Sequence, residues 1–321
     1  MRQFGRLVAA LALAVIATPL AAQTNWPDKP VKLVVGFTPG SATDVSGRMF
    51  AQKFSEMWGQ PVVVENVPGN SGAIGTDRVA KAAPDGYTLL WSGNAAITIL
   101  PSLQTLPFDP LKDLAPITTT LVTASVVLVN NDLPAKSLAE LIAYAKANPG
   151  KLSYGSPGVG TPQHVAGELL GSLAGIKMEH IPYRGANLTD VMSGVVPVGI
   201  QNAGAAMPFV NDGRVRGLAI TSQKRAAGAP DLPTVAEQGF PGFEAISWFA
   251  LMAPAGTPKP ILDKVRADAL KVLADPDAQK KFLAIGLEVV GSTAEETRAA
   301  IANDIPKWAK VIKDANIKPG N

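Results

Sequence analysis

The sequence predicts an α/β protein of two doubly wound domains joined by two crossover strands, with a cleft between the domains. Three observations carry this prediction. Short apolar runs alternate with amphipathic helical patterns along the chain, the order that builds parallel sheets covered by helices. Two long β-rich runs, Ile117–Asn130 and Trp248–Ala253, break the alternation, and each is suited to carry the chain from one domain to the other. Two segments, one in each half, share a construction: a short apolar strand enters a Gly/Ser/Thr loop that opens a helix.

The elements follow in order. Val31–Phe37 reads as a strand, and Ala42–Trp58 as a helix with Val45, Met49, Phe50 and Phe54 on one face. Pro61–Glu65 is a strand, Ser71–Ala83 a helix stopped by Pro84-Asp85-Gly86, and Tyr87–Trp91 a third strand, a βαβαβ order that implies a parallel sheet. After the first crossover, Ser137–Asn148 is a helix with Ser137 as N-cap and Glu140 at the capping-box position. Then come strand Leu152–Ser156, helix Pro162–Leu173, strand Glu179–Tyr183, short helix Leu188–Ser193, strand Val195–Gln201, helix Ala205–Asp212 and strand Val215–Thr221. The second crossover leads to helices at Lys259–Ala274 and Thr293–Ala315, which complete the first domain. The expected organisation is a leader over 1–22, domain I over 23–125 and 248–321, and domain II over 126–247.

The leader is read from its composition. Met1–Arg6 has two arginines and no acid, Leu7–Ala17 is an unbroken run of eleven apolar residues, and small residues lead to Ala22. This is the pattern of a secretory signal peptide cleaved near Ala22, and the run is too short to span a bilayer. There is no cysteine, which excludes both a lipid anchor on cysteine and disulfides. A soluble exported protein of this kind fits the Gram-negative periplasm. Without Arg2 and Arg6 the basic residues nearly balance the 26 acids, and no Lys/Arg run is interleaved with aromatics, so no nucleic-acid partner is expected.

The chemistry points to binding. The nucleophile elbow, the Walker A loop, the zinc-helix motif and the EF-hand loop are all absent. Gly158-Val159-Gly160 lacks the third glycine of the dinucleotide fingerprint, so no cofactor is expected, and two histidines without cysteine do not make a metal ligand set. A helix N-terminus, by contrast, offers unpaired N–H groups and a partial positive charge, and binds anions without Lys or Arg. The two strand–loop–helix segments place such ends at Phe37, Thr38, Gly40, Ser41, Ala42 and Thr43, and at Ser156, Gly158, Val159, Gly160 and Thr161. Facing each other across a cleft, they would hold a molecule with two carboxylates. Asn94 and Asn202 follow strands and would meet a ligand there, though Asn is also common in turns. His164 either faces the cleft or packs on the strand beneath it, and His180 reads as structural. Asp44 reads as a first-turn residue. Arg184 is either a carboxylate clamp or a domain brace. Gly69, Gly72 and Gly75 read as a tight turn with close helix packing.

A series of strings then carries a resemblance. They include Trp26-Pro27-Asp28-Lys29-Pro30, Pro39-Gly40, Thr43-Asp44, Gly59-Gln60-Pro61-Val62-Val63-Val64-Glu65-Asn66 and Ala83-Pro84-Asp85-Gly86-Tyr87-Thr88-Leu89-Leu90. Pro182-Tyr183-Arg184-Gly185, Asp231-Leu232-Pro233-Thr234-Val235-Ala236-Glu237 and Ala253-Pro254-Ala255-Gly256-Thr257-Pro258 continue it. In this order, over essentially the whole mature chain, they resemble the Bug/TctC-like receptors of tripartite tricarboxylate transporters. The resemblance implies a type II-like periplasmic-binding-protein fold and capture of a small carboxylate, most naturally a dicarboxylate, aliphatic or aromatic. It also implies delivery to two integral membrane subunits. A monomer is expected. Backbone N–H groups and hydroxyls of Phe37–Thr43 and Ser156–Thr161 would hold the ligand. The chain departs from the family pattern at Thr38 and Ser41, which add hydroxyls, and at Gln201 and Pro197, which stand where the family has acids. Loss of those acids disfavours amino-acid ligands. Pro197 suggests an edge or a strand start, and the small run Asn202–Ala206 either makes room for a bulky diacid or packs closely. The alternatives are a periplasmic sensor feeding a signalling receptor, or a secreted serine hydrolase using Ser41 or Ser156 with His164.

Overall fold

The computed structural model describes residues 26–183, 185 and 187–319. The leader and Arg184 lie outside the described residues. The first lobe begins with β1 (Val31–Val35), α1 (Ala42–Trp58), β2 (Val62–Asn66), α2 (Ala73–Ala80) and β3 (Thr88–Gly93). A helical segment at 95–102 leads to β4 (Leu114–Thr123), which enters the second lobe as β5 (Ser125–Val129). There follow α3 (Leu138–Ala147), β6 (Ser153–Ser156), α4 (Pro162–Ala174), β7 (Glu179–Pro182), α5 (Leu188–Met192), β8 (Val198–Asn202), α6 (Ala203–Asn211) and β9 (Arg216–Ile220). The chain returns through β10 (Ser247–Pro254) and ends with α7 (Lys259–Ala274), α8 (Pro276–Ala284), β11 (Glu288–Val289) and α9 (Ala294–Asp314).

The strands form two sheets, ordered β11-β4-β10-β3-β1-β2 and β7-β6-β8-β5-β9. The parallel pairs are those expected, β1 with β2 and β3, and β6 with β7 and β8. The sheets are nonetheless mixed, because β10 runs antiparallel to β3 and β4, and β5 antiparallel to β8 and β9. The reason is topological. Strands whose carboxyl ends face the cleft run towards it, and a strand arriving from the other lobe must run away from it. The β-rich run read as Ile117–Asn130 is therefore two strands, broken at Ala124 where the chain changes sheet.

Local signals account for most boundaries. Ser41 caps α1 through the Asp44 N–H, and Gly59 closes it in the left-handed region. Phe50 and Phe54 are fully buried, while Val45 and Met49 sit at the edge of that face. Phe50 packs against Trp91 and Phe282, and Phe54 against Phe50 and Trp58; burial of each contributes roughly 1.5–3 kcal/mol. Helix α2 starts later than the periodicity suggests, because Asn70 and Ser71 adopt φ of 47° and 48°. Pro197 precedes an interior strand, since β8 lies between β6 and β5; with no N–H to give, it offers only its carbonyl, to the Asn130 N–H at 3.0 Å. Helix α8 was legible but unread: Asp275 is its N-cap and Pro276 its first residue.

Helix α9 does not belong to one lobe. Its 21 residues extend about 31 Å, longer than one lobe needs. Ile301 packs with Val34, Leu90 and Met252 of the first lobe, and Trp308, Val311 and Ile312 join Val129, Leu138 and Leu170 in the core of the second. The small run after Asn202 makes close packing between lobes: a Cβ on Gly204 would lie 2.1 Å from the Ile285 carbonyl oxygen. Gly204→Ala is therefore expected to destabilise the fold by about 1–3 kcal/mol, read as a lower thermal midpoint. An unchanged midpoint would mean that the lobes are not in contact there in solution.

Candidate functional site

A cavity of about 690 Å³ lies between the lobes at the carboxyl ends of the strands. Phe37, Thr38, Ser41, Ala42, Thr43 and Asn94 line it from the first lobe, and Gly158, Thr161 and Asn202 from the second. Gly40, Ser156, Val159, Gly160 and His164 are not on the lining. Residues that the sequence reading missed complete the wall: the loop Pro68–Gly72, Gln163, and Ser247, Trp248 and Phe249 at the start of β10. The only available signal for the loop was the Gly69/Gly72/Gly75 spacing, which packing alone would explain. No Lys, Arg, Asp or Glu lines the cavity among the described residues.

The first helix end is open to a ligand. Ala42 and Thr43 are its first two helical residues, whose N–H groups a helix cannot satisfy internally. The loop before it is fixed from behind by Asp44. One Asp44 carboxylate oxygen accepts the Gly40 N–H at 2.9 Å and the Arg48 Nε–H at 3.0 Å, and the other accepts Asn66 Nδ2 at 2.8 Å. Asn66 Nδ2 also donates to the Phe37 carbonyl at 3.0 Å. Burial alone would raise the Asp44 pKa, but the hydrogen bonds from Arg48, Gly40 and Asn66 outweigh it and hold the carboxyl below its ordinary value. Asp44 thus turns its charge away from the cavity. Gly40 supplies a φ of 82° and an N–H for Asp44, not a ligand contact.

The second helix end is more committed internally. Pro162, the first residue of α4, has no N–H. The Thr161 hydroxyl accepts from the His164 N–H at 3.3 Å and donates to the Gly158 carbonyl at 2.7 Å. The Gly158 N–H goes to Ser156 Oγ at 3.2 Å, and the Gly160 N–H to His164 Nδ1 at 3.2 Å. Side-chain amides take over: of the two Gln163 Nε2 hydrogens, one goes to Asn202 Oδ1 and the other is shared between Ser125 and Ser247 Oγ at 3.3 and 3.4 Å. With its Oδ1 occupied, Asn202 keeps its Nδ2 hydrogens for the cavity. Asn94 lines the cavity and ties the return crossover, its Nδ2 donating to the Ile246 carbonyl at 2.9 Å.

His164 answers its open question by packing on the strand beneath. It is 3 % exposed and stacks on His180, with ring centroids 3.7 Å apart. His180 Nε2 lies 2.7 Å from Ser156 Oγ, a spacing that suggests a nucleophile and its base. Ser156 is fully buried, however, and its Oγ is already engaged by the loop. The pair braces the second loop from beneath. Burial, and for His164 also the neighbouring ring, push the two imidazoles down to about 3 for His164 and about 4 for His180, so both are neutral at pH 7.

The sequence model of the tripartite tricarboxylate transporter family receptors matches residues 47–317. The chain belongs to this receptor family. It is 37 % identical over 315 residues to BugT of Bordetella pertussis, covering 96 % of this chain and 95 % of BugT. It is 34 % identical over 312 residues to a UPF0065 protein encoded between tcbD and tcbE in Pseudomonas sp. strain P51, covering 96 % and 93 %. Among solved structures, Rhodopseudomonas palustris Rpa4515 with adipate superposes with a TM-score of 0.82 at 35 % identity, covering 92 % of this chain and 100 % of that one. R. palustris MatC with bound malate gives 0.79 at 28 % identity, covering 89 % and 100 %. The receptor therefore has the two-lobed α/β fold of periplasmic binding proteins, and it is a solute-binding protein rather than an enzyme. No helix among the described residues is long and apolar enough to cross a membrane.

Proposed function

We propose that this receptor is exported to the periplasm, closes as a monomer on a small dicarboxylate, and delivers it to two integral membrane subunits of a tripartite transporter. The observation that carries the reading is the cavity wall. Hydrogen-bond donors stand on both lobes, Ala42 and Thr43 with Ser41 on one side and, on the other, the backbone N–H of Gln163, the second residue of α4, with the Asn202 side-chain amide. Phe37, Trp248 and Phe249 give the cavity an apolar middle. A carboxylate at each end and a carbon skeleton between them complement that wall. The adipate and malate in the names of two related structures support the same ligand class.

The test is a thermal-shift screen of refolded protein against mono-, di- and tricarboxylates, amino acids and sugars. A dicarboxylate at a thousand times its Kd is expected to add about 4 kcal/mol, a shift of several degrees. A response to sugars or amino acids alone would overturn the ligand class. Ser41→Ala and Thr161→Ala are each expected to weaken binding by roughly tenfold, the first at the helix end and the second by loosening the loop. Calorimetric titration showing full affinity in both variants would overturn the residue assignment.

A further inference from the structure

A second cavity, of about 700 Å³, abuts the ligand cavity. The two share Asn70, Ser71, Pro157 and Gly158 in their walls, so these residues are the partition between them. The contact that closes the partition joins the lobes: Ser71 Oγ donates to the Val159 carbonyl at 3.4 Å. On the far side lie Leu100, Leu103 and Tyr183, with Gln104 as a polar end.

The backbone here is strained. Four successive residues have positive φ: Gly69 at 132°, Asn70 at 47°, Ser71 at 48° and Gly72 at 95°. Two of them are not glycine, and serine in the left-handed region is unfavourable. The loop cannot relax, because it nests on the first ligand loop. A Cβ on Gly36 would lie 2.8 Å from the Gly72 Cα, and one on Gly75 would lie 3.0 Å from the Gly36 Cα. Glycine at 71 would remove the strain. The side chain is present where it is unfavourable and where it fills a gap between two cavities, which points to a role for the side chain itself.

We propose that Asn70 and Ser71 set the longest dicarboxylate on which the receptor can close. This rests on the dicarboxylate reading of the cavity. With Ser71 in place, the ligand ends at the partition. Without its side chain Asn70, Pro157 and Gly158 remain but the Ser71–Val159 contact that closes the partition is gone, and the methylene chain of a longer linear diacid extends through the gap past Leu100 and Leu103 towards Gln104.

The test is calorimetric titration of the wild-type receptor, Ser71→Ala and Ser71→Gly with linear dicarboxylates from succinate to sebacate. Glycine accepts the native φ, so Ser71→Gly is expected to fold with an unchanged or higher Tm. Its affinity for sebacate relative to adipate is expected to rise about tenfold or more over the wild-type ratio. Ser71→Ala, which keeps the Cβ but not the contact to Val159, is expected to fall between the two. A Ser71→Gly profile that superposes on the wild-type profile, with binding intact, overturns the partition alone. A wild-type receptor that binds none of the series overturns the dicarboxylate reading and the partition with it.

Discussion

Asp44→Ala is expected to remove ligand binding and to destabilise the receptor by about 2–4 kcal/mol, although Asp44 does not line the cavity. The carboxylate is 2 % exposed and connects the Gly40 N–H, Asn66 and Arg48. Without it, the Gly40 N–H loses its partner and the Asn66 amide keeps only the Phe37 carbonyl, so the loop that presents Ser41 and the start of α1 is left tethered at one point. The Arg48 share is smaller, because its side chain is half exposed and solvent screens it. Denaturant unfolding and calorimetric titration check the two halves of the prediction. Asp44→Asn, which keeps one acceptor, is expected to recover part of the stability. Unchanged affinity in Asp44→Ala would show that the loop is held by something other than this network.

Acid is expected to weaken the receptor through its two histidines. In the unfolded chain they take up protons near pH 6.5, whereas in the fold they resist until about 4 for His180 and about 3 for His164. Between these limits the unfolded state binds more protons, so stability is complete above pH 6.5 and falls as pH drops. The slope approaches 1.4 kcal/mol per pH unit for each ring, and a proton on one ring opposes the next because the rings are stacked. Tyr154 and Glu168 complete the cluster: the single hydrogen of the Tyr154 hydroxyl is shared between the His164 carbonyl at 3.0 Å and the Glu168 carboxylate at 2.8 Å. Burial raises the Glu168 pKa against the opposing hydrogen bond from Tyr154 and the charge of Lys177. Because His164 Nδ1 accepts the Gly160 N–H, its proton sits on Nε2, and a second proton on Nδ1 would expel that bond from the ligand loop. Ligand affinity should therefore fall with stability. Denaturant unfolding at several pH values, comparing the wild type with His164→Gln/His180→Gln, measures the effect as a difference in slope. Equal slopes would refute it.

Much of this arrangement was legible in the chain. Ser41 and Thr161 each stand three residues before the N–H they cap, and the glycines before them mark the turns, so both helix ends were readable from spacing alone. Three things were not. The commitment of Gly40 and Gly160 to Asp44 and His164 depends on where side chains turn, which periodicity does not encode. The pairing of His164 with His180 joins a helix to a strand sixteen positions away, and nothing in either segment names the other. The role of Asn70–Ser71 was hidden because a Gly-x-x-Gly-x-x-Gly run looks the same whether it packs a helix or lines a cleft.

The sequence by itself determined the α/β alternation, the two crossovers and the two capped helix ends, because each rests on contacts within a few residues: hydrophobic period, cap hydroxyl, turn glycine. It also determined the family, through strings spread from Trp26 to Pro258. Only the tertiary structure decided that both sheets are mixed, that α9 spans both lobes, and that Gln163 and β10 join Asn202 to complete a wall begun by α1. Those features are set by which surfaces meet when two lobes fold against one another, and the residues that meet, such as Gln163 and Ser247, lie far apart in the chain.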